Sequence, residues 1–197
     1  NIFMLNCRYK IVLIFILLTR ISYSQNLVIG LSGGINFSKA ITDEYKSKKQ
    51  ICPTIKLTSD FLLNEKFYLQ FGLGYIQHCY SIDIFPNIKM TFNYIDISLA
   101  AKYKYKNFFV AGGPTFNIYI NGATHINNYS VDFEKDFSES FLYGLSGEIG
   151  FELPLGRNFN LLLQSGYSIG FKDATKSDDT VVKFNGTIFL TGLNYNF

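Results

Sequence analysis

The sequence predicts an all-β chain: an eight-stranded antiparallel up-and-down transmembrane β-barrel, preceded by a cleavable signal peptide. Three observations carry that expectation. Segments of roughly 10–15 residues alternate apolar with small or polar side chains, the period of a strand with two unlike faces. These segments are joined in turn by short polar turns and long polar connections, the rhythm of an outer-membrane barrel. No apolar run approaches the ~20 residues that a spanning helix needs. Strands cross a bilayer only when they close on themselves, because lipid offers no partner to an unpaired backbone group.

Composition narrows the function classes. The chain has 197 residues, enough for one domain or one closed sheet. Its formal charge of +3 comes from Arg8, Lys10 and Arg20, which precede every acidic residue. Of 18 basic residues, 15 remain after them, against 15 acidic ones, so the rest of the chain is neutral. That balance argues against a nucleic-acid partner. Aromatic residues reach 17% with no tryptophan, and 16 glycines stand against 4 prolines. Many strands with few rigid turns have this composition.

At the N-terminus, Arg8 and Lys10 precede the apolar run Ile11 to Leu18, and Ser22 and Ser24 stand at −3 and −1 of a cut before Gln25. Residues 1–24 are therefore expected to be a signal peptide and residues 25–197 the barrel. Cys7 lies before the apolar run, so it is not a lipid-anchor cysteine. The expected location is the outer membrane, reached by export.

The strands follow in order. In the first, Leu27, Ile29, Leu31, Ile35 and Phe37 share a face opposite Gly30, Ser32, Gly34, Asn36 and Ser38. A polar loop, Lys39 to Gln50, leads to Thr54 to Leu63, and Asn64-Glu65-Lys66 turns the chain into Phe67 to about Tyr80. After a loop from Ile82 to Lys89, a fourth strand runs to about Tyr105, turned by Lys106-Asn107 into Phe108 to Ile120. The longest loop is expected over Asn121 to Glu139. Phe141 to Leu153, a turn from Pro154 to Asn158, and Phe159 to Phe171 form the next pair. A polar loop, Lys172 to Thr180, precedes the last strand, Lys183 to Phe197.

Alternation leaves open which face points inward. A soluble lipocalin-type barrel buries its apolar face and shows charge outside. Here the second face is Gly, Ser, Ala and Asn, small enough for the narrow interior of eight strands. It lacks the Lys and Glu that would crowd a soluble exterior, so the apolar face is assigned to lipid. Phe61, Phe67, Tyr103, Phe108, Phe159, Tyr195 and Phe197 gather near the short-turn side, as an interfacial girdle does. Lys56, Asp60, Asp96, Lys102, Glu148 and Glu152 then point into the lumen. Buried charges require partners, so a lumenal charge network that plugs the barrel is expected, with Asp60 and Glu152 the closest to the rim. On the last strand Phe189, Leu193, Tyr195 and Phe197 share the outward face, while Ile188 and Leu190 point inward.

Gly30 to Ser38, Asn93 to Tyr103 and Ala111-Gly112-Gly113-Pro114 resemble the PorT-type outer-membrane β-barrel family. The resemblance continues through Leu142 to Phe171 and the last strand, and so spans the whole chain after the expected cut. Its motifs are structural: they imply the barrel and leave the activity open. The outward aromatic row ending in Phe197 resembles the signal read by the barrel assembly machinery during insertion, which implies Phe189, Leu193, Tyr195 and Phe197 as the assembly signal.

Candidate chemistry is sparse. His78, with Ser81 and Asp83 nearby, admits a hydrolase triad like that of lipid-modifying barrels. No second element fixes that geometry, and a rim histidine without catalytic role is the preferred reading. Cys52 and Cys79 lie at one end of a hairpin in an oxidising compartment, which invites a disulfide. Parity objects: with a three-residue turn Cys52 faces His78, and Cys79 points to the other side. A bulge near Pro53 would repair this. Asp173, Asp178 and Asp179 lack the spacing of a cation loop. No phosphate-cradling glycine loop and no metal-ligand cluster is present, so no cofactor is expected. The expectation is a non-enzymatic integral outer-membrane barrel with a plugged lumen, in a structural or partner-binding role through its external loops. Its partners are outer-membrane lipid, the assembly machinery, and an extracellular or envelope protein. The alternatives are a small transport or ligand-binding barrel and a lipid-modifying enzyme resting on His78.

Overall fold

Alternating side chains give strands, and the strands here pair edge to edge around a barrel. The computed structural model describes residues 27–42, 47–82, 88–126, 129–132, 138–175 and 182–197; the expected signal peptide, 1–24, lies outside them. The strands are β1 (Leu27–Ile41), β2 (Ser47–Leu62), β3 (Phe67–Ile82), β4 (Ile88–Tyr105), β5 (Phe108–Ile126), β6 (Tyr129–Asp132), β7 (Phe141–Pro154), β8 (Phe159–Gly170) and β9 (Lys183–Asn196). Every pairing is antiparallel. β1 pairs with β2 and β9, β4 with β3 and β5, and β5 with β7, which closes eight strands into a barrel. Among the described residues, short β6 pairs with the upper end of β5, Ala123 to Ile126. Among the described residues no helix is long and apolar enough to cross a membrane.

The register sets the tilt. Followed around the barrel, Leu27 pairs with Phe61, then Leu69, Ala101, Gly112, Gly147, Tyr167 and Thr187, and returns to β1 at Phe37. The row thus comes back ten residues above its start (37 − 27). A shear of that size with eight strands leaves a lumen narrow enough for side chains to fill.

Local chemistry makes the three short turns. Asn64 Oδ1 accepts from the backbone N–H of Lys66 and of Phe67, both at 3.2 Å, an Asx turn between β2 and β3. Lys106 takes φ 55° in the tight Lys106-Asn107 turn. The third, after Pro154, is closed by Leu155 N–H to Phe159 O at 2.9 Å.

The outer surface is apolar and exposed: Leu31 is 56% exposed and Ile149 54%. A broad apolar band of this kind is unstable in water and suits lipid. At the short-turn end the aromatic rings pack in neighbouring pairs, Phe67 with Tyr103 at 5.1 Å and Phe159 with Tyr195 at 5.0 Å.

The strands outrun their expected bounds at the opposite end. β1 reaches Ile41 and β2 begins at Ser47, within the expected loop Lys39 to Gln50. The expected loop Asn121 to Glu139 contains the top of β5 and all of β6. The reason is physical: above the membrane no lipid imposes an apolar face, so pairing continues while alternation stops. β5 gains one residue there, because Tyr94 pairs with Tyr119 and Asn93 with Asn121, which leaves Ile120 as a bulge.

Candidate functional site

The lumen is where this sequence has placed groups that need one another, and it is built in three layers. At the short-turn end, Lys102 on β4 extends across the interior. Its Nζ donates to Asp60 Oδ2 and to Glu152 Oε1, each at 2.6 Å. It also lies 4.2 Å from the centre of the buried Phe109 ring, a cation–π contact. Gln70 donates to the other oxygen of Asp60 at 2.8 Å, and Asn194 to Glu152 Oε1 at 3.1 Å. Lys104 pairs with Glu152 Oε2. Asp60 and Glu152, the two expected closest to the rim, are both buried. Glu152 does not bond with one neighbour alone; it joins β4, β7 and β9.

The middle layer holds Lys56, whose Nζ donates to Glu148 Oε1 at 2.7 Å. Asp96 lines the same cavity of about 40 Å³ with Lys56, Glu148 and Asn117. Among the described residues no ion pair joins Asp96. Among the described residues Glu148 Oε2 and Asn117 Oδ1 find no donor; a polar cavity of this size has room for water to serve them. Of the six lumenal charges expected from sequence, Lys102, Asp60 and Glu152 therefore meet below, Lys56 and Glu148 meet above, and Asp96 stands beside the second pair. Lys104 was missed, although it has the parity of Lys102 on β4.

The top layer is aromatic. Tyr80, Phe92, Tyr94, Leu142 and Phe184 form a buried cluster, with Ile76 and Ala40. His78 belongs to it: its ring stacks on Phe184 at 4.7 Å and 6°, and meets Tyr94 edge-on at 5.7 Å. Its Nδ1 lies 3.1 Å from Ser38 Oγ. Ser81 accepts from Gln50 Nε2 at 3.0 Å, and Asp83 lies outside the described residues. His78 is thus a buried packing group and not a rim histidine, and no carboxylate is among its partners in the described residues. His125 meets Thr91 Oγ1 at 3.4 Å, away from His78.

Chain outside the strands closes over this layer. Ala174 and Val182 pack into the aromatic cluster, both buried. Glu139 N–H donates to Ala174 O at 2.9 Å, Ala174 N–H to Val182 O at 2.7 Å, and Lys172 Nζ to Glu139 Oε2 at 2.9 Å. Sequence reasoning missed this cover, because one alanine and a short valine pair in polar connections carry no period. Asp173 lies 3.9 Å from Lys183; Asp178 and Asp179 are outside the described residues. Among the described residues no cluster of three or more His, Cys, Asp or Glu is arranged to hold a metal.

Cys52 and Cys79 form a disulfide between β2 and β3, with Cα atoms 6.3 Å apart. The parity objection is resolved by a register shift between Lys49 and Thr54: four residues of β2 oppose three of β3. A bulge near Pro53 is the open alternative that the structure selects. On β9, Phe189, Leu193 and Phe197 are exposed on the lipid face. Tyr195 packs between Phe159 at 5.0 Å and Phe197 at 4.8 Å.

Known proteins agree with this architecture. The family described as "Outer membrane protein beta-barrel domain" matches residues 23–176. The crystal structure of Neisserial surface protein A superposes with a TM-score of 0.54 at 14% identity, covering 88% of this chain and 98% of that one. The outer membrane protein OprG from Pseudomonas aeruginosa gives 0.53 at 14% identity, covering 86% and 95%. At such identity the likeness is one of fold. Among curated proteins, none matches the chain by sequence. The chain belongs to the outer membrane protein beta-barrel domain family and is an integral barrel of the outer membrane.

Proposed function

We propose that this barrel is a sealed, non-enzymatic anchor, PorT-type in its motifs, that presents its external connections to a partner in the envelope or outside the cell. One observation carries the reading: Lys102 bridges two carboxylates from strands on either side of it, in the interior, with its side chain 2% exposed. A cation held this way obstructs the lumen, and removing it uncovers two like charges. The aromatic layer and its cover add a second obstruction at the other end. Internal cavities of about 40 and 20 Å³ are water-sized, which speaks against a transport path. The burial of His78, with no carboxylate among its partners in the described residues, speaks against an enzyme. For presentation, the β5–β6 hairpin stands beyond the barrel wall and exposes Ile126 and Val131.

The outward row Phe189, Leu193, Tyr195 and Phe197 fits recognition by the barrel assembly machinery. Purified protein in planar bilayers tests the sealed lumen. The expected record is a flat baseline at the currents a porin gives; steps of porin size overturn the reading.

A further inference from the structure

The lipid-facing surface is uneven at one place, and its chemistry changes with height there. Across β7, β8, β9 and β1 a groove of about 420 Å³ opens to the membrane, lined by Gly33, Phe151, Leu163, Ser165, Phe189 and Thr191. The outward neighbours Leu31, Ile35, Leu163, Tyr167, Phe189 and Leu193 are large; Gly33, Ser165 and Thr191 between them make the depression. Smooth packing of lipid leaves such a hollow without partner atoms on one side. An acyl chain seated in it recovers those contacts.

A second groove, of about 260 Å³, lies directly above on the same face. It is lined by Phe37, Lys39, Lys49, Tyr167, Asn185 and Thr187 among others. The register makes the two continuous. Ser165 pairs with Phe189 and Phe189 with Ile35 in the top row of the lower groove. Tyr167 pairs with Thr187 and Thr187 with Phe37 in the next outward row. Two residues along a strand are ~7 Å, so one molecule spans both grooves.

The upper groove is cationic. Lys39 pairs with Asn185 on β9. One step beyond the pair Ser38–Gln50, Lys39 comes level with Lys49 on β2. Like charges directly opposite on one face of a sheet repel. Among the described residues neither lysine has an ion-pair partner, and both are exposed. Lys183, opposite Ile41, stands above them. This end carries the long connections, which in outer-membrane barrels face outward, so the lysines sit where outer-leaflet headgroups begin. Tyr167, Asn185 and Thr187 add hydroxyl and amide groups suited to sugar hydroxyls.

We propose that β8, β9, β1 and the top of β2 form a binding site for a phosphorylated glycolipid of the outer leaflet. Its phosphate lies between Lys39 and Lys49, its sugar against Tyr167 and Asn185, and an acyl chain in the Gly33–Thr191 groove. The phosphate relieves the lysine–lysine repulsion as a point-charge contact, and the apolar groove confines binding to a lipid rather than a free anion. The site is on the outside of the barrel and does not depend on whether the lumen is sealed.

The test is native mass spectrometry of the full-length barrel in detergent, titrated separately with lipid A, phosphatidylglycerol and inorganic pyrophosphate. Lipid A is expected to bind one to one. The double variant Lys39→Gln, Lys49→Gln is expected to weaken it at least tenfold. Gly33→Leu is expected to weaken it without changing charge; a Cβ at Gly33 meets only the Thr54 carbonyl, at 3.9 Å, so the fold accepts the side chain. Heat-dependent gel mobility confirms that each variant is folded. The proposal is overturned if lipid A binds both variants as it binds the parent. It is also overturned if phosphatidylglycerol or pyrophosphate binds as tightly as lipid A.

Discussion

Lys102 Nζ on β4 and Glu152 Oε1 on β7 meet at 2.6 Å, although β5 runs between their strands, and both side chains are 2% exposed. The contact reaches across the barrel wall's curvature, so it ties together strands that share no backbone hydrogen bonds. Lys102→Met leaves Asp60 and Glu152 facing each other without their shared cation. Removing one partner of a buried pair costs about 3–5 kcal/mol, and a loss of that size is expected in urea unfolding of the barrel in detergent. Adding Glu152→Gln should restore part of it, a coupling read from the double-mutant cycle. Strictly additive effects would show that the pair contributes nothing.

The Cys52–Cys79 disulfide joins β2 to β3 across a sequence separation of 27. By chain entropy, a loop of that length contributes about 3–4 kcal/mol. Mass spectrometry of the intact, unreduced protein should show the loss of two hydrogens, and Cys52→Ser should lower stability by up to that amount. An unreduced protein in which both thiols alkylate would contradict the pairing.

Glycines on the two faces should respond oppositely. A Cβ added to Gly34, which faces inward, would overlap the carbonyl of Phe189 on β9. Gly34→Val is expected to prevent β1 from pairing with β9 and so to abolish the folded band on a cold gel. Gly147 faces lipid, and a Cβ there meets nothing within 4 Å. Gly147→Val should fold as well as the parent or better, since valine also suits a strand.

His78 packs as an aromatic ring between Phe184 and Tyr94. His78→Phe should therefore keep the unfolding midpoint close to that of the parent, whereas His78→Ala should lower stability by about 2–4 kcal/mol through the cavity it leaves. Equal loss in both variants would mean that the Ser38 contact, not the stack, fixes the ring.

We propose that the outward row of β9 acts in assembly before it acts in stability. Deleting Phe197, or Tyr195→Ala, should slow insertion into liposomes containing the assembly machinery. The protein that does insert should unfold within about 1 kcal/mol of the parent, as for most exposed substitutions. Insertion at the parental rate would remove the row from that role.

Much of this protein was legible in its sequence, and the reason is the membrane. Lipid on one side and a narrow lumen on the other force a period of two, so the eight spanning strands and the inward parity of Lys56, Lys102, Glu148 and Glu152 could be read directly. The same parity located the girdle at Phe67, Tyr103 and Phe159. Tertiary structure alone decided the rest. Whether Lys102 finds Glu152 depends on the shear, which follows from pairing around the whole barrel and leaves no trace in any one strand. The disulfide depended on one extra residue in β2, which reverses parity locally. The top of β5, β6 and the cover carried by Ala174 and Val182 lie above the lipid. No second solvent imposes a pattern there, so only the contacts of the closed barrel decide where those residues go.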